Sequence, residues 1–353
     1  MSWFKPPRLP SALVGPLAAT LDRAVTLAVA TRHEFGTSRL DDDQLMARAA
    51  SAAEYFAGID SETYFDPPQP IHPLETWSIR GEAVDLSWLS SHRVQCDAVR
   101  AAYTSSFENR HAAVRLFGKE KRRPVAVLVH GYMGGAFSLE QRIWPIRWLD
   151  SLGFDSALFT LPFHGARAPA TDQSPLFPQS DIRFTAEGFR QSVTDLRDLA
   201  AWLRERGHPE VGLMGMSLGG YVTSLTATLD PTLAFLVPIV PLACLADFAR
   251  DQGRMPRGTR QALTYEQTLK RAYRLTSPLA RPPRITSDRV LVVAGKADRI
   301  TPPTHARMLA THFSAPLEAW SGGHLLQFGR ARSLQRVGSF LRSLPRVDST
   351  SLP

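Results

Sequence analysis

Cysteine is scarce in this sequence: Cys96 and Cys244 are the two in a chain of 353 residues. One pair cannot form the disulfide framework that stabilises small secreted proteins, and neither cysteine stands among residues with metal-ligand spacing. The scarcity therefore excludes a disulfide-dense fold and gives no sign of a metal centre. We expect a reducing, cytoplasmic setting, no metal and no organic cofactor.

A long apolar run is also absent. The run at 233–246 is too short to cross a bilayer and contains Pro238 and Pro241, which predicts a buried strand and its exit. Near the start, the apolar stretch at 11–21 is similar to a signal peptide, but Pro16 interrupts it. We expect a peripheral helix there.

Charge of one sign is in excess but not concentrated. Lysine and arginine number 41 against 33 acidic residues, for a formal net charge of +8. The basic run at 119–123 lies just before a predicted strand, which favours a solvated loop over a nucleic-acid patch. We therefore expect no nucleic-acid partner.

The sequence is organised around a serine between glycines. A short apolar run at 211–214 is followed by Gly-Met-Ser-Leu-Gly at 215–219 and then by a helix-like run at 221–229. A strand that turns sharply into a helix around a serine is typical of a nucleophile elbow. Gly215 and Gly219 would supply the space that such a turn needs.

The pattern around this motif alternates strands and helices. Apolar runs predict short strands at 98–103 and 113–117, then strands at 125–129, 156–161, 211–214, 233–240, 289–294 and 317–320. Helices are expected at 12–30, 41–57, 137–152, 185–206, 302–312 and 325–344, with Asp195 and Asp198 on a polar face. Strands that are apolar throughout indicate an α/β fold, with a mostly parallel sheet covered by helices on both faces.

Glycine-rich polar loops follow five of these strands. They begin at His130, Pro162, Gly215, Gly295 and Ser321. Parallel sheets bind ligands at the carboxyl ends of their strands, so these loops should meet at one edge.

Three of the loops carry Ser217, Asp298 and His324, in an order known for a catalytic triad. With this order the chain resembles the α/β hydrolases over roughly 86–345, and more loosely the branch that includes abhydrolase-domain and acetyl-esterase-like proteins. The resemblance rests on four motifs: His-Gly at 130–131, the glycine-flanked serine at 215–219, Gly-Lys-Ala-Asp at 295–298 and Gly-His at 323–324.

The resemblance implies a role for each residue. Ser217 would be the nucleophile, His324 the general base and then the general acid, and Asp298 the carboxylate that orients it. The backbone N–H groups of Tyr132 and Leu218 would form the oxyanion hole. Four further residues are expected to line the substrate pocket, with His164 also bracing its loop by hydrogen bonds: His130, Met133, Phe163 and His164.

Alternatives exist for the acid and the base. Asp247 follows the preceding strand, where some α/β hydrolases carry the acid, although we favour Asp298. His130, His164 and His305 are other histidines, but His324 fits the chain order best.

The resemblance also suggests how the chain is divided. A helical extension at 1–85 would pack on the main domain at 86–345, and a flexible tail would follow at 346–353. Insertions at 166–185 and 242–284 should shape the pocket. The second, at a usual lid position, would form either a movable cover or a fixed cap.

These observations predict a serine hydrolase that cleaves a small-molecule carboxylic ester through an acyl-enzyme intermediate. One alternative is a non-catalytic binding protein with the same fold. The other is a lipid hydrolase at a membrane surface, with residues 1–30 as an interfacial anchor; Trp3, Phe4, Lys5 and Arg8 motivate it.

Overall fold

A computed structural model of the chain describes residues 15–24, 40–79, 83–118, 123–170 and 175–345, with the backbone alone for 73–79. The anchor hypothesis for residues 1–30 and the predicted tail at 346–353 therefore lie largely or wholly outside the described residues. Among the described residues, no helix combines the length and the apolar character needed to cross a bilayer.

The described residues form a central sheet with helices around it. The strands are β1 (Pro73–Ile79), β2 (Ala83–Leu89), β3 (His111–Phe117), β4 (Val125–Val129), β5 (Asp155–Thr160), β6 (Val211–Met216), β7 (Leu236–Ile239), β8 (Val292–Gly295) and β9 (Leu317–Trp320). The helices are α1 (15–24), α2 (Asp42–Ala57), α3 (Asp97–Thr104), α4 (Phe137–Ile143), α5 (Ile146–Ser151), α6 (Ile182–Glu205), α7 (Leu218–Ala227), α8 (Leu245–Asp251), α9 (Thr259–Ala272), α10 (Pro303–His312) and α11 (Arg330–Ser343).

The sheet is mostly parallel. In the described part of the chain its nine strands run in the order β1-β2-β3-β5-β4-β6-β7-β8-β9. The six strands from β5 to β9 are parallel, whereas β1, β2 and β3 pair antiparallel at one edge. The order places the ends of β6, β7, β8 and β9 side by side, which brings the loops after them together.

Strand β4 shows why the central strands are apolar throughout. Val127 points into a core shared with α6 and α7, while Leu128 points into a second core shared with α5 and α11. Successive side chains of a strand alternate between the two faces, so a sheet covered on both faces buries every residue. The predicted two-sided α/β architecture is confirmed.

Several predicted elements need correction. The segment at 98–103 is helix α3 rather than a strand, because Val99 and Tyr103 are buried on one helical face four residues apart. The helix predicted at 137–152 is two helices, since Pro145 interrupts the run. The extension predicted to be helical also contains strand β1 and the start of β2, so the sheet begins before residue 86.

Two acidic residues of helix α6 are more buried than the sequence pattern predicts. The predicted polar face with Asp195 and Asp198 is buried. Asp195 Oδ2 accepts a hydrogen bond of 2.8 Å from the guanidinium of Arg167, which is itself fully buried. The pair ties the loop after β5 to α6. Each of the two buried charges remains favourable only while its partner is present.

Removal of one partner from this pair should therefore destabilise the protein strongly. We expect Asp195→Ala to lower the free energy of unfolding by about 3–5 kcal/mol, measured by urea denaturation. The control is Glu205→Ala on the same helix, where the side chain is exposed and the change should stay within about 0.5 kcal/mol. Equal midpoints for the two variants would contradict the structural role of the pair.

Candidate active site

Ser217 lies in the turn between β6 and α7. Its backbone has φ +56° and ψ −114°, a combination that costs energy for any residue with a Cβ atom. Two hydrogen bonds hold this conformation: Ser217 N–H donates to the Ile239 carbonyl at 3.0 Å, and the Ser217 carbonyl accepts from Leu242 N–H at 3.1 Å. The strained turn is thus fixed by the chain at the end of β7.

The two glycines beside Ser217 are required by close backbone contacts. A Cβ atom on Gly215 would lie 2.2 Å from the Gly219 carbonyl oxygen, and one on Gly219 would lie 2.2 Å from the Val129 carbonyl oxygen. Both distances are far below van der Waals contact, so no side chain fits. The predicted steric role of these glycines is confirmed.

Asp298 and His324 form a hydrogen-bonded pair beside this turn. Asp298 Oδ2 lies 2.8 Å from His324 Nδ1. Asp298 Oδ1 accepts from the backbone N–H groups of Ile300 at 2.9 Å and Thr301 at 2.8 Å. With both carboxylate oxygens occupied, the acid is held in one orientation, and the hydrogen bond to Nδ1 directs the other ring nitrogen away from it.

Thr301 also contacts this pair. Its hydroxyl lies 3.1 Å from both Asp298 Oδ2 and His324 Nδ1, and it donates to the Val240 carbonyl at 2.8 Å. It links the loop after β8 to the end of β7. The sequence does not point to this contact of Thr301, because a threonine three residues after an aspartate is common in turns.

The electrostatic environment stabilises the charged form of His324. Burial favours the neutral ring and would lower its pKa. The negative charge of Asp298, the hydrogen bond that the His324 ring donates to that carboxylate and the charge of Asp22 outweigh burial, so the pKa of His324 is raised above its ordinary value. The site is therefore suited to holding a transient imidazolium.

Gln327 connects the loop of His324 to the residue before Ser217, but no hydrogen bond joins the two proposed catalytic side chains in the described part of the chain. Among the hydrogen bonds of the described residues, none joins the Ser217 hydroxyl to the His324 ring. Gln327 spans the two loops: its Nε2 donates to the His324 carbonyl at 3.0 Å and lies 3.8 Å from the sulfur of Met216. Catalytic hydrogen bonds often tighten only when substrate is bound, so this geometry is compatible with proton transfer.

The loop after β4 passes directly beside the serine. A Cβ atom on Gly131 would lie 3.2 Å from the Ser217 Cβ, which places the segment of Tyr132 and Met133 at the site. Leu218 is the first residue of α7, so its N–H has no acceptor within the helix. Backbone N–H groups at such a position can stabilise a negative charge that develops on a substrate.

The rings of His130 and His164 contact the backbone of the loops that follow β4 and β5. Their rings lie 5.0 Å apart, and both are buried. His130 Nδ1 lies 2.7 Å from the Gly131 carbonyl, and its Nε2 accepts from Leu161 N–H at 3.0 Å. Burial lowers the pKa of His130 to about 4, so the ring stays neutral. His164 Nδ1 is 2.8 Å from the Pro162 carbonyl, the kind of loop contact expected for it.

The other two pocket candidates lie in different surroundings. Phe163 is fully buried against the rings of Tyr103 and Phe184, at centroid distances of 4.9 and 5.2 Å. Its side chain therefore belongs to the core and is not on an open pocket wall. Met133 has a positive φ of 68°, and the residue is 43% exposed. A pocket role at the site remains a prediction for Met133 and the two histidines.

The alternative acid and base, Asp247 and His305, make their contacts with other residues. Asp247, on α8, contacts Arg250 at 3.1 Å and Lys270 at 3.4 Å. His305 Nε2 lies 3.3 Å from Asp251, and its Nδ1 accepts from Ala243 N–H at 3.2 Å. The carboxylate that contacts His324 from the loop after β8 is that of Asp298.

The insertion at 242–284 contains α8 and α9 and packs on α2. Arg257 N–H donates to the Asp42 carboxylate at 2.9 Å, and Arg274 donates to the carbonyls of Phe56 at 2.9 Å and Ile59 at 2.7 Å. The N-terminal region and the insertion are thus joined. Whether the insertion moves remains a prediction.

No cluster of three or more histidine, cysteine or carboxylate side chains suited to a metal ion occurs in the described ranges.

Comparisons with known proteins point to one fold. The family described as alpha/beta hydrolase domain containing 18 matches residues 107–271. Uncharacterized protein Rv2627c of Mycobacterium tuberculosis strain H37Rv is 32% identical over 281 residues, or 77% of this chain. The protein of strain CDC 1551 / Oshkosh matches equally, and the chain spans 61% of the length of these relatives.

Two solved structures extend the comparison. An acetyl xylan esterase from Paenibacillus sp. R4 superposes with a TM-score of 0.53 at 17% identity, covering 88% of this chain and 96% of that one. The Pyrococcus furiosus esterase Pf2001 superposes with a TM-score of 0.52 at 15% identity, covering 79% and 99%. The chain therefore has the α/β-hydrolase fold, as its sequence predicts.

The steric requirement at the serine turn can be tested directly. We expect Gly219→Ala to destabilise the protein by about 3 kcal/mol or more, because the added Cβ would overlap the Val129 carbonyl. Gly58→Ala is the matched control: Gly58 has φ −82°, and nothing lies within 4 Å of a Cβ placed there. Thermal and urea unfolding of both variants provide the measurement, and similar stabilities would contradict the close approach.

Proposed function

We propose that this protein is a serine hydrolase that cleaves a carboxylic ester through an acyl-enzyme intermediate. The observation that carries the proposal is the Asp298–His324 pair, held beside a serine in a strained turn at the edge of an α/β-hydrolase sheet. A serine hydroxyl is a weak nucleophile by itself, and a base that an acid orients is what activates it.

In the proposed reaction Ser217 and His324 act together. The Ser217 oxygen attacks the ester carbonyl carbon while its proton passes to His324 Nε2. The tetrahedral intermediate then collapses: the carbon–oxygen bond to the alcohol breaks, and His324 returns the proton to the departing oxygen. Water attacks the acyl-enzyme with His324 again as base, which releases a carboxylic acid and restores the serine.

The negative charge of the intermediate would be stabilised by backbone donors. The N–H of Leu218, at the start of α7, and the N–H of Tyr132, in the loop beside Ser217, are the proposed pair. One such donor typically contributes about 3 kcal/mol to the transition state. Because these groups belong to the backbone, the contribution depends on loop position and not on the side chains at 132 and 218.

An ester is the proposed substrate class. The two superposed structures bear names of an acetyl xylan esterase and an esterase, which supports ester chemistry without specifying the acid or the alcohol. The fold serves many reactions, so the substrate must be identified by experiment. A panel of aryl esters with acyl chains of increasing length would show which acyl group the site accepts.

Covalent labelling tests the nucleophile. A fluorophosphonate probe should form a bond between its phosphorus and the Ser217 oxygen with loss of fluoride, so the wild type is labelled and Ser217→Ala is not. Ser151→Ala replaces an exposed serine and should be labelled like the wild type. Equal labelling of all three proteins, or no labelling of the wild type, would refute the serine-hydrolase proposal.

A second pair of variants tests the acid. We expect Asp298→Asn to lower kcat roughly 10⁴-fold, because the His324 ring loses the carboxylate that fixes its tautomer and stabilises its charge. Asp247→Asn, at the alternative acid, should retain kcat within about threefold, since Asp247 pairs with Arg250 and Lys270. The opposite result would assign the acid to Asp247.

A further inference from the structure

Helix α1 packs against the loops that carry Asp298 and His324. Ala18 and Asp22, one turn apart on this helix, are both fully buried. A Cβ atom on Gly323 would lie 2.5 Å from Asp22 Oδ2 and 3.2 Å from Ala18 Cβ. Gly323, the residue before His324, therefore leaves the space that the carboxylate of Asp22 occupies.

Asp22 accepts hydrogen bonds from three backbone N–H groups in two loops. Its Oδ2 accepts from His324 N–H at 2.8 Å and from Arg299 N–H at 3.2 Å. Its Oδ1 accepts from Leu325 N–H at 3.1 Å. Arg299 directly follows Asp298, so one buried carboxylate holds the backbone of the acid loop and the backbone of the histidine loop.

We propose that Asp22 is a positioning residue that sets the geometry of His324 relative to Asp298 and Ser217, and so makes helix α1 part of the active centre. This inference rests on the proposed function. The hydrogen bonds of Asp22 to Arg299, His324 and Leu325 all go to backbone N–H groups, so they fix the main chain from which the His324 ring projects.

The physical reason is the short reach of proton transfer. The Ser217 proton must pass to a ring whose backbone lies in a loop without regular structure. An error of about 1 Å in the placement of a catalytic group can cost about 100-fold in rate. A buried carboxylate with three N–H donors restricts such movement, and charge-assisted hydrogen bonds of this kind are stronger than neutral ones.

The charge of Asp22 acts on His324 as well. Two elements supply the charges that raise the pKa of His324: the loop after β8 with Asp298, and α1 with Asp22. The other side chains that contact His324, those of Thr301 and Gln327, are uncharged. Loss of the Asp22 charge should lower the pKa of His324 and weaken the stabilisation of the imidazolium.

A purely structural role makes a different prediction. If Asp22 served only to attach α1, its replacement would lower thermal stability, while the surviving folded enzyme would keep its kcat and its pH profile. A positioning role requires that both change in the folded protein. The pH dependence of kcat/KM therefore separates the two roles.

The test compares Asp22→Asn and Asp22→Ala with Asp43→Asn, which removes one exposed acid on α2, all in the full chain. With an aryl ester whose wild-type turnover depends on Ser217, we expect kcat to fall about 10- to 100-fold for Asp22→Asn, with KM within about twofold. His324 must be neutral to act as base, so the acid limb of kcat/KM should move to lower pH. Asp43→Asn should match the wild type in each measurement.

Amide hydrogen exchange gives a readout that needs no substrate. In Asp22→Asn the amides of Arg299, His324 and Leu325 should exchange faster than in the wild type, while those of β4 remain protected. Unchanged kcat, pH profile and exchange in this variant would overturn the positioning role, even if Asp22→Ala does not fold. Absence of Ser217-dependent turnover in the wild type is a separate outcome that would refute the proposed function itself and, with it, this inference.

Discussion

The arrangement of the site depends on the strained turn that holds Ser217 between β6 and α7. Its positive φ is maintained for two reasons. Gly215 and Gly219 have no Cβ atoms, so the neighbouring backbone can approach closely, and Ile239 and Leu242, at and after the end of β7, hydrogen-bond to the N–H and the carbonyl of Ser217. A strained residue persists only where surrounding structure over-determines it. Here the parallel sheet does so, by placing the ends of β4 and β7 on either side of β6.

The proposed triad is assembled from loops that have little regular structure of their own. Asp298 is held by the N–H groups of its own turn, Thr301 ties that turn to β7, and Gln327 links the histidine loop to Met216. Asp22 adds a contact from a helix far away in sequence. The contacts of Asp298, Thr301 and Asp22 are buried, where a hydrogen bond is electrostatically stronger and the loss of one partner costs more than at the surface.

Polar contacts also connect the outer parts of the chain. The Arg167–Asp195 pair ties a loop near the site to α6, and Arg274 and Arg257 tie the insertion with α8 and α9 to α2. Through α1 and α2, the N-terminal region thus contacts both the histidine loop and the insertion. In the proposed enzyme this region contributes to the geometry of the site as well as to packing.

Local patterns in the sequence determined several strands of the sheet and the turn that holds Ser217. Apolar runs predicted the strands β4, β5, β6 and β9 within a residue or two, and the glycines around Ser217 predicted its turn, because both depend on neighbours in sequence. The prediction of a strand at 98–103 was wrong, since this segment is a helix. Asp195, predicted on a polar face, is buried, because burial is decided by what packs against a helix. Likewise, nothing local distinguishes Asp22 from any acid on a helix. Only the tertiary structure brought its carboxylate to the N–H groups of His324 and Arg299, because those contacts join residues about 300 positions apart.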